Sequence, residues 1–260
     1  MAQTALITGA SGGIGYELAK VFAQHQYDVI LVARSTDKLL QIQTELSQQY
    51  GVQATALTHD LSDHAAPQRL FDQLKAQHRQ IDVLVNNAGF GDNGAFATSD
   101  WEKQNSMLQL NIVALTHLTR LFLPSLIEQG RGQVMNVAST AAFQPGPYMA
   151  VYYASKAYVL SFTEAISHEL QGTGVSAIAL CPGPTRSDFQ DRANLNDVEF
   201  FDASKIPAAA EVAQFGYDAL QRDQTVAVHG AVNQLLAFSN RIMPRQAIVK
   251  FIGDLQKPKG

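Results

Sequence analysis

Residues 9–15, Gly-Ala-Ser-Gly-Gly-Ile-Gly, carry four glycines in seven positions. They stand between a short apolar run, residues 4–8, and a segment whose Leu18, Ala19, Val21 and Phe22 fit one face of a helix. A strand, a glycine turn and a helix inside the first 25 residues restrict the chain to few folds. Glycine lets the backbone come close to a ligand, and a helix N-terminus attracts negative charge, so the turn suits a dinucleotide pyrophosphate. The spacing is G-x-x-x-G-x-G instead of the commoner G-x-G-x-x-G. A plain tight turn would also use glycines; the position between strand and helix favours binding.

The rest of the chain repeats that alternation. Residues 28–33 read as a second strand. A helix follows, capped by Ser35 or Thr36, buried through Leu39, Leu40, Ile42 and Leu46, and closed by Gly51. Residues 52–57 and 81–85 are the third and fourth strands, with a helix carrying Leu70, Phe71 and Leu74 between them. A long helical stretch runs from Ser99-Asp100 to Leu126, interrupted by Pro124. Further strands fall at 133–137, 175–181 and 225–228, separated by helices from about Tyr152 to Gln171 and over 208–221. This order predicts an α/β chain: one doubly wound parallel sheet of about seven strands with helices on both faces. No second domain, repeat or low-complexity linker interrupts it. Such sheets bind ligands at the carboxyl ends of their strands. The glycine turn, Arg34, Asp60, 86–89, Ser139 and 182–185 all fall there.

Composition excludes several classes. The net charge is -4 and there is no basic cluster, so nucleic acid is not an expected partner. One cysteine, Cys181, allows neither a disulfide framework nor a cysteine zinc site. The seven histidines are scattered without metal-binding spacing, so no metal is expected. The N-terminus enters a strand at once, unlike a signal peptide. No apolar run approaches the roughly 18 residues of a membrane span. The expectation is a soluble, cytoplasmic protein.

The reactive residues cluster between 139 and 156. Tyr152 and Lys156 stand i, i+4, one turn apart on a helix face. A free tyrosine titrates near pH ~10. A nearby ammonium favours the phenolate and lowers that value, making the pair a candidate acid/base. Ser139 could hydrogen-bond the same oxygen, and Tyr153 rivals Tyr152. Asn111, among Met107, Leu108, Leu110, Ile112 and Val113, is either a structural bond or a polar group serving a site. Asp60 could bond an adenine amine or cap the next helix. The small residues Ala88 and Gly89, after Asn87, allow a flat ring against the backbone. After the second strand comes Arg34 where NAD binders carry an acid. Arg34, with Ser35 and Lys38, points to NADP(H) over NAD(H); the alternative is a solvated surface arginine.

Taken together these motifs resemble the short-chain dehydrogenase/reductase family over nearly the whole chain. They are T-G-x-x-x-G-x-G at 8–15, N-N-A-G at 86–89, Asn111, Ser139, Y-x-x-x-K at 152–156 and P-G-x-T at 182–185. The resemblance implies one Rossmann-like domain over 1–260, a variable substrate lid at 186–207 and a C-terminal helical tail at 231–257. It gives Tyr152 the acid/base role, Lys156 the nicotinamide ribose, Ser139 the substrate carbonyl and Asn111 a water in the proton relay. The implied cofactor set is Gly9, Ser11, Gly12, Gly13, Ile14, Gly15, Arg34, Asp60, Leu61, Asn87, Ala88, Gly89, Tyr152, Lys156, Pro182, Gly183 and Thr185. Gly12 departs from the basic residue that many NADP-dependent members carry. The nearest group resembles β-ketoacyl reductases and hydroxysteroid dehydrogenases. Hydride would pass between nicotinamide and a carbonyl or secondary alcohol.

Phe90, Phe143, Phe189 and Ser139 would line the substrate pocket, with Phe200, Phe201, Tyr148 and Met149 nearby; an apolar ketone or acyl chain suits them. The tail is expected to pack on its own domain or on another subunit in a homo-oligomer, a dimer or tetramer. Two other functions fit the motifs: an epimerase or dehydratase that keeps its nicotinamide bound, and a non-catalytic NADP(H)-binding regulator.

Overall fold

The computed structural model describes residues 2–186, 189, 193 and 206–257. Seven strands form one sheet: β1 (Thr4–Thr8), β2 (Asp28–Ala33), β3 (Ala54–Thr58), β4 (Val83–Asn86), β5 (Gly132–Val137), β6 (Val175–Cys181) and β7 (Val226–Val228). All neighbours are parallel, in the order β3-β2-β1-β4-β5-β6-β7. The helices are α1 (Gly13–Gln24), α2 (Thr36–Tyr50), α3 (Ala66–Ala76), α4 (Trp101–Leu108), α5 (Leu115–Glu128), α6 (Ala150–Glu169), α7 (Ala209–Gln221), α8 (Ala231–Ser239) and α9 (Arg245–Gln256).

Consecutive strand residues serve opposite faces. Ile7, Leu31, Val85 and Leu180 pack with Leu18 and Phe22 of α1, Leu39 and Leu46 of α2, and Leu220 of α7. Leu6, Ile30, Leu84 and Val134 pack with Leu70 and Leu74 of α3, Leu118 and Phe122 of α5, and Ile166 of α6. Burial on both sides is why these strands read as unbroken apolar runs. The strand order reverses between β1 and β4. The chain leaves β1 toward β2 on one side and later returns to β4 on the other, which opens a crevice at the carboxyl edge.

Asparagines at register-matched positions close that edge from beneath. Asn86 and Asn136 are paired across β4 and β5. Asn86 Nδ2 donates to Asn136 Oδ1 at 2.9 Å and to Thr119 Oγ1 at 3.0 Å, and Asn136 Nδ2 donates to Thr163 Oγ1 at 2.9 Å. This buried chain ties α5 and α6 to the strand ends.

The long helical stretch differs from its expected form. Asp100 caps it by accepting from the Glu102 N–H at 2.9 Å. A π-helical turn at Gln109–Ala114 then separates α4 from α5. Pro124 does not interrupt α5, which continues to Glu128. Proline removes one helical bond, and here Pro124 and Arg120, the residue whose carbonyl loses it, are both exposed. The stretch Trp101–Glu128 has a window of mean hydropathy 1.4, long and apolar enough to cross a membrane by length and composition. In the fold its apolar side packs on β4, β5 and α3.

Candidate active site

At the start of the chain, Thr8 fixes the glycine turn. Its Oγ1 donates to Val85 O at 3.2 Å and accepts from the Asn87 and Ala88 N–H groups, both at 3.0 Å. Asn87 Nδ2 donates to Thr8 O at 2.9 Å. The loop after β4 is thus clamped against the turn after β1. Gly9 has φ +68, and a Cβ there would stand 2.7 Å from Asn87 Nδ2. A Cβ on Gly15 would overlap Gly9 O and Asn87 Nδ2. No side chain caps the start of α1. Backbone cleared of side chains beside open helix N–H groups fits a dinucleotide phosphate cradle.

A cavity of about 740 Å³ runs along the carboxyl edge. Of the expected cofactor residues, Gly9, Ser11, Gly12, Gly13, Ile14, Arg34, Asp60, Leu61, Asn87, Ala88, Gly89, Tyr152, Lys156, Pro182, Gly183 and Thr185 line it. Gly15 does not; it lets α1 pack onto the turn. Ser139, Phe90 and Phe189 also line it. Phe143 is a correction to the expected pocket. It packs with the cluster of Leu115, Ala142, Val159 and Leu160, because the short helix Thr140–Phe143 turns it away from the cavity. Phe200 and Phe201 lie outside the described residues.

Arg34 and Asp60 sit at one end, exposed, with Nη1 to Oδ2 at 3.9 Å. Asp60 does not cap α3. Its Oδ1 accepts from the Ser62 N–H at 3.0 Å and from Ser62 Oγ at 2.6 Å.

At the other end stand Ser139, Tyr152 and Lys156. Lys156 is 5% exposed, and its Nζ donates to Val137 O at 2.8 Å. The same ammonium lies 5.8 Å from the Tyr152 ring centroid. Burial pulls its pKa down to about 8. Burial raises the Tyr152 phenol above its ordinary value, opposed by a hydrogen bond with Ser139. The expected lowering of Tyr152 by Lys156 is not what governs it here: burial dominates, and the opposing influence is the Ser139 hydroxyl. Ser139 Oγ accepts from the Ala141 N–H at 3.1 Å and donates to Pro182 O over a long 3.4 Å, a bond easily exchanged for a ligand.

Asn111 lies below the cavity wall. Nδ2 donates to Phe90 O at 3.0 Å and to Ser155 Oγ at 3.1 Å, while Oδ1 accepts from the Phe90 N–H at 3.2 Å. Ser155 Oγ in turn donates to Tyr152 O at 2.7 Å. The π turn carries Asn111, and π turns often mark functional positions. Of its two sequence readings, the bond to neighbouring backbone describes these contacts.

The tail contributes to the site. Ile248 and Ile252 of α9 pack with Met149, Tyr153 and Phe189, and Gln256 lines the cavity. Asn233 of α8 lies so close to Gly183 that a Cβ there would overlap its carboxamide. Sequence reasoning placed Thr8 in the glycine motif without giving it a role, and missed Ser155, Asn233 and Gln256. Only Thr8, a polar residue closing an apolar strand, and Ser155, inside the Y-x-x-x-K stretch, gave a signal.

The lysine carries a stability signature. Folding moves its pKa from 10.5 to about 8. Across that window the unfolded chain keeps a proton that the folded protein has lost. Stability therefore rises with pH there, and the gain is lost as pH falls through 8. At about 1.4 kcal/mol per unit, wild type should gain on the order of 2 kcal/mol over Lys156→Met between pH 8 and 10 in urea titrations. Parallel curves would show that the buried ammonium stays charged.

Fold and cavity together are those of a dinucleotide-binding α/β protein. The chain belongs to the short-chain dehydrogenase/reductase family: the family model described as short chain dehydrogenase matches residues 3–197. It is 34% identical over 266 aligned positions to sulfoacetaldehyde reductase 2 of Chromohalobacter salexigens, covering 98% of this chain and 99% of the relative. It is 38% identical over 181 residues to the ketoacyl reductase HetN of a Nostoc species, covering 70% of this chain but 63% of that relative's length. The structure of a short-chain dehydrogenase from Sphingobium yanoikuyae in complex with NADPH matches with a TM-score of 0.82 at 29% identity, covering 99% and 98% of the two chains.

Proposed function

We propose that the protein is an NADP(H)-dependent carbonyl reductase acting on a ketone or acyl carbonyl with an apolar body. The observation that carries this reading is one cavity shared by Ser139, Tyr152 and Lys156 at one end and Arg34 at the other. Gly9 to Gly13 would hold the pyrophosphate, Arg34 the 2′-phosphate, and Lys156 the nicotinamide ribose. The bound nicotinamide supplies the hydride. Ser139 Oγ exchanges its long bond to Pro182 O for the substrate oxygen. Tyr152, kept a neutral phenol by burial, donates its proton to that oxygen as it gains charge. Asn111 acts through Ser155, which holds the backbone carbonyl of Tyr152 at the start of α6.

Phe90, Leu110, Met149 and Phe189 supply the apolar wall for the substrate. Among the described residues, Lys103, the cavity cation other than Lys156 and Arg34, is ion-paired with Asp92. A sulfonate such as the relative's substrate would have to displace that pair, so an uncharged carbonyl fits better. Self-association belongs to the same reading, supported by exposed Val232, Leu235, Phe238 and Ile242 on the tail.

The test follows NADPH and NADH oxidation with bulky apolar ketones and with sulfoacetaldehyde. Stoichiometric NADPH consumption, fastest with an apolar ketone, is the expected result. A preference for sulfoacetaldehyde would overturn the substrate class. No turnover with any carbonyl would favour a nicotinamide-retaining epimerase or a regulator.

A further inference from the structure

The loop after β4 reads Phe90-Gly91-Asp92-Asn93-Gly94. Gly91 is buried. Its φ lies outside the left-handed region that favours glycine, so the backbone would accept an alanine there. Space is what requires the glycine. A Cβ would stand 3.0 Å from Met149 Cε, 3.0 Å from Phe189 Cζ and 3.3 Å from Tyr152 Cδ2. All three of these side chains line the cavity.

The loop is fixed on both sides of Gly91. Asn111 bonds both backbone groups of Phe90, its Oδ1 accepting from the N–H at 3.2 Å and its Nδ2 donating to the carbonyl at 3.0 Å. The Asp92 carboxylate accepts from Lys103 Nζ and, at 2.9 Å, from Gln104 Nε2. The Asn93 N–H donates to Ala193 O at 3.0 Å, and the Gly94 N–H donates to Tyr148 O at 2.8 Å. Ala193 donates its own N–H to Phe189 O at 2.9 Å, so the backbone that carries the Phe189 ring is tied to the same loop. Bonded backbone yields little in a close-packed interior, whereas the unbranched methionine side chain adapts easily. An added methyl would therefore drive Met149 Cε and Phe189 Cζ away from Gly91 and into the cavity that they line.

We propose that Gly91 sets the size of the substrate group that the cavity admits beside Tyr152. Its bare Cα lets Met149 and Phe189 lie back, which leaves room for a substituent larger than a methyl group on the reacting carbonyl. The inference rests on the carbonyl-reductase reading and narrows its substrate class. Gly91 determines specificity without touching the substrate, because it acts through those two side chains.

The experiment compares phenyl ketones bearing a methyl, ethyl or propyl group in wild type, Gly91→Ala, Met149→Ala and the double variant. Gly91→Ala should raise KM for the propyl ketone and lower its kcat/KM relative to the methyl ketone by about 10-fold or more, the usual effect of a methylene in an apolar pocket. Its kcat for the methyl ketone should stay within a few-fold of wild type, since Tyr152 is the least crowded of the three neighbours. In the Met149→Ala background, where one of the two most crowded atoms is gone, the same substitution should cost much less. Equal losses on all three ketones would overturn the proposal, because they would place the effect on Tyr152 or on the fold. So would an undiminished loss in the Met149→Ala background. Melting temperatures read the fold directly: if Gly91→Ala unfolds the protein in both backgrounds, the cost lies in the backbone and the proposal fails. Calorimetric binding of the same ketones to the NADP⁺-loaded protein reads the size limit without turnover. If binding shows that limit but NADPH reduces none of the ketones, the carbonyl-reductase reading fails while the role of Gly91 stands.

Discussion

Tyr152→Phe is expected to lower kcat by on the order of 10²- to 10⁴-fold, the usual contribution of a positioned acid or base. The change removes one oxygen and leaves the ring that packs against Phe189, 5.4 Å away between centroids. NADPH affinity should stay within a few-fold of wild type, because the glycine turn, Arg34 and Lys156 are untouched. Tyr153→Phe is the control. Its hydroxyl is engaged by Gln256, so the variant should keep most of its activity. Steady-state kinetics and cofactor titration on both variants decide the matter. A dead Tyr153→Phe beside an active Tyr152→Phe would reverse the assignment of the acid.

What the sequence made legible depends on whether neighbours in space are neighbours in the chain. The strand, turn and helix at 4–24 were readable because every determinant is local: a short unbroken apolar run, glycine and a helix face. Tyr152 and Lys156 were readable for the same reason, since one helix turn joins them. β6 matches its expected bounds of 175–181. The edges of β3 and β4 shifted by one or two residues, because Thr58 and Asn86 are polar residues drawn into the ladder by their strand partners Ala33 and Asn136.

Other parts had no local signature. The π turn at Gln109–Ala114 has no residue that breaks a helix; its shape goes with the bonds that Asn111 makes to Phe90, 21 residues away, and to Ser155, 44 residues away. Phe143 read as pocket-lining because it lies near Ser139 in sequence, yet the short helix between them points it into the core. Gln256 was invisible for the opposite reason. It lies 103 residues from Tyr153 and meets it only because Ile248 and Ile252 seat α9 over the catalytic segment. The tail was expected to pack on its own domain or on another subunit, and its sequence carries no information about which residues it meets.

Arg34→Asp is expected to shift the ratio of NADPH to NADH affinity by on the order of 10²-fold or more. A hydrogen bond to a charged group contributes about 1.5–3 kcal/mol, and each 1.4 kcal/mol or so is tenfold in affinity. The substitution removes the guanidinium that would pair with a 2′-phosphate and puts a like charge in its place. It also supplies the acceptor that NAD-binding sites use on the ribose hydroxyls. The ion pair that Arg34 makes with Asp60 is long, at 3.9 Å, and both side chains are mostly or half exposed, so losing it costs little stability. That geometry gives a second arm to the test. Asp60 stands beside the cation and opposes any phosphate brought to it, so Asp60→Asn should strengthen NADPH binding several-fold and leave NADH nearly unchanged. Its contacts with Ser62 run through one oxygen, which asparagine retains. Titration of both cofactors into the three proteins reads all of this directly. A wild type that binds NADH as tightly as NADPH would remove the case for Arg34 as the phosphate-binding residue, and the two cofactors would then have to be distinguished, if at all, by residues on the other wall of the crevice.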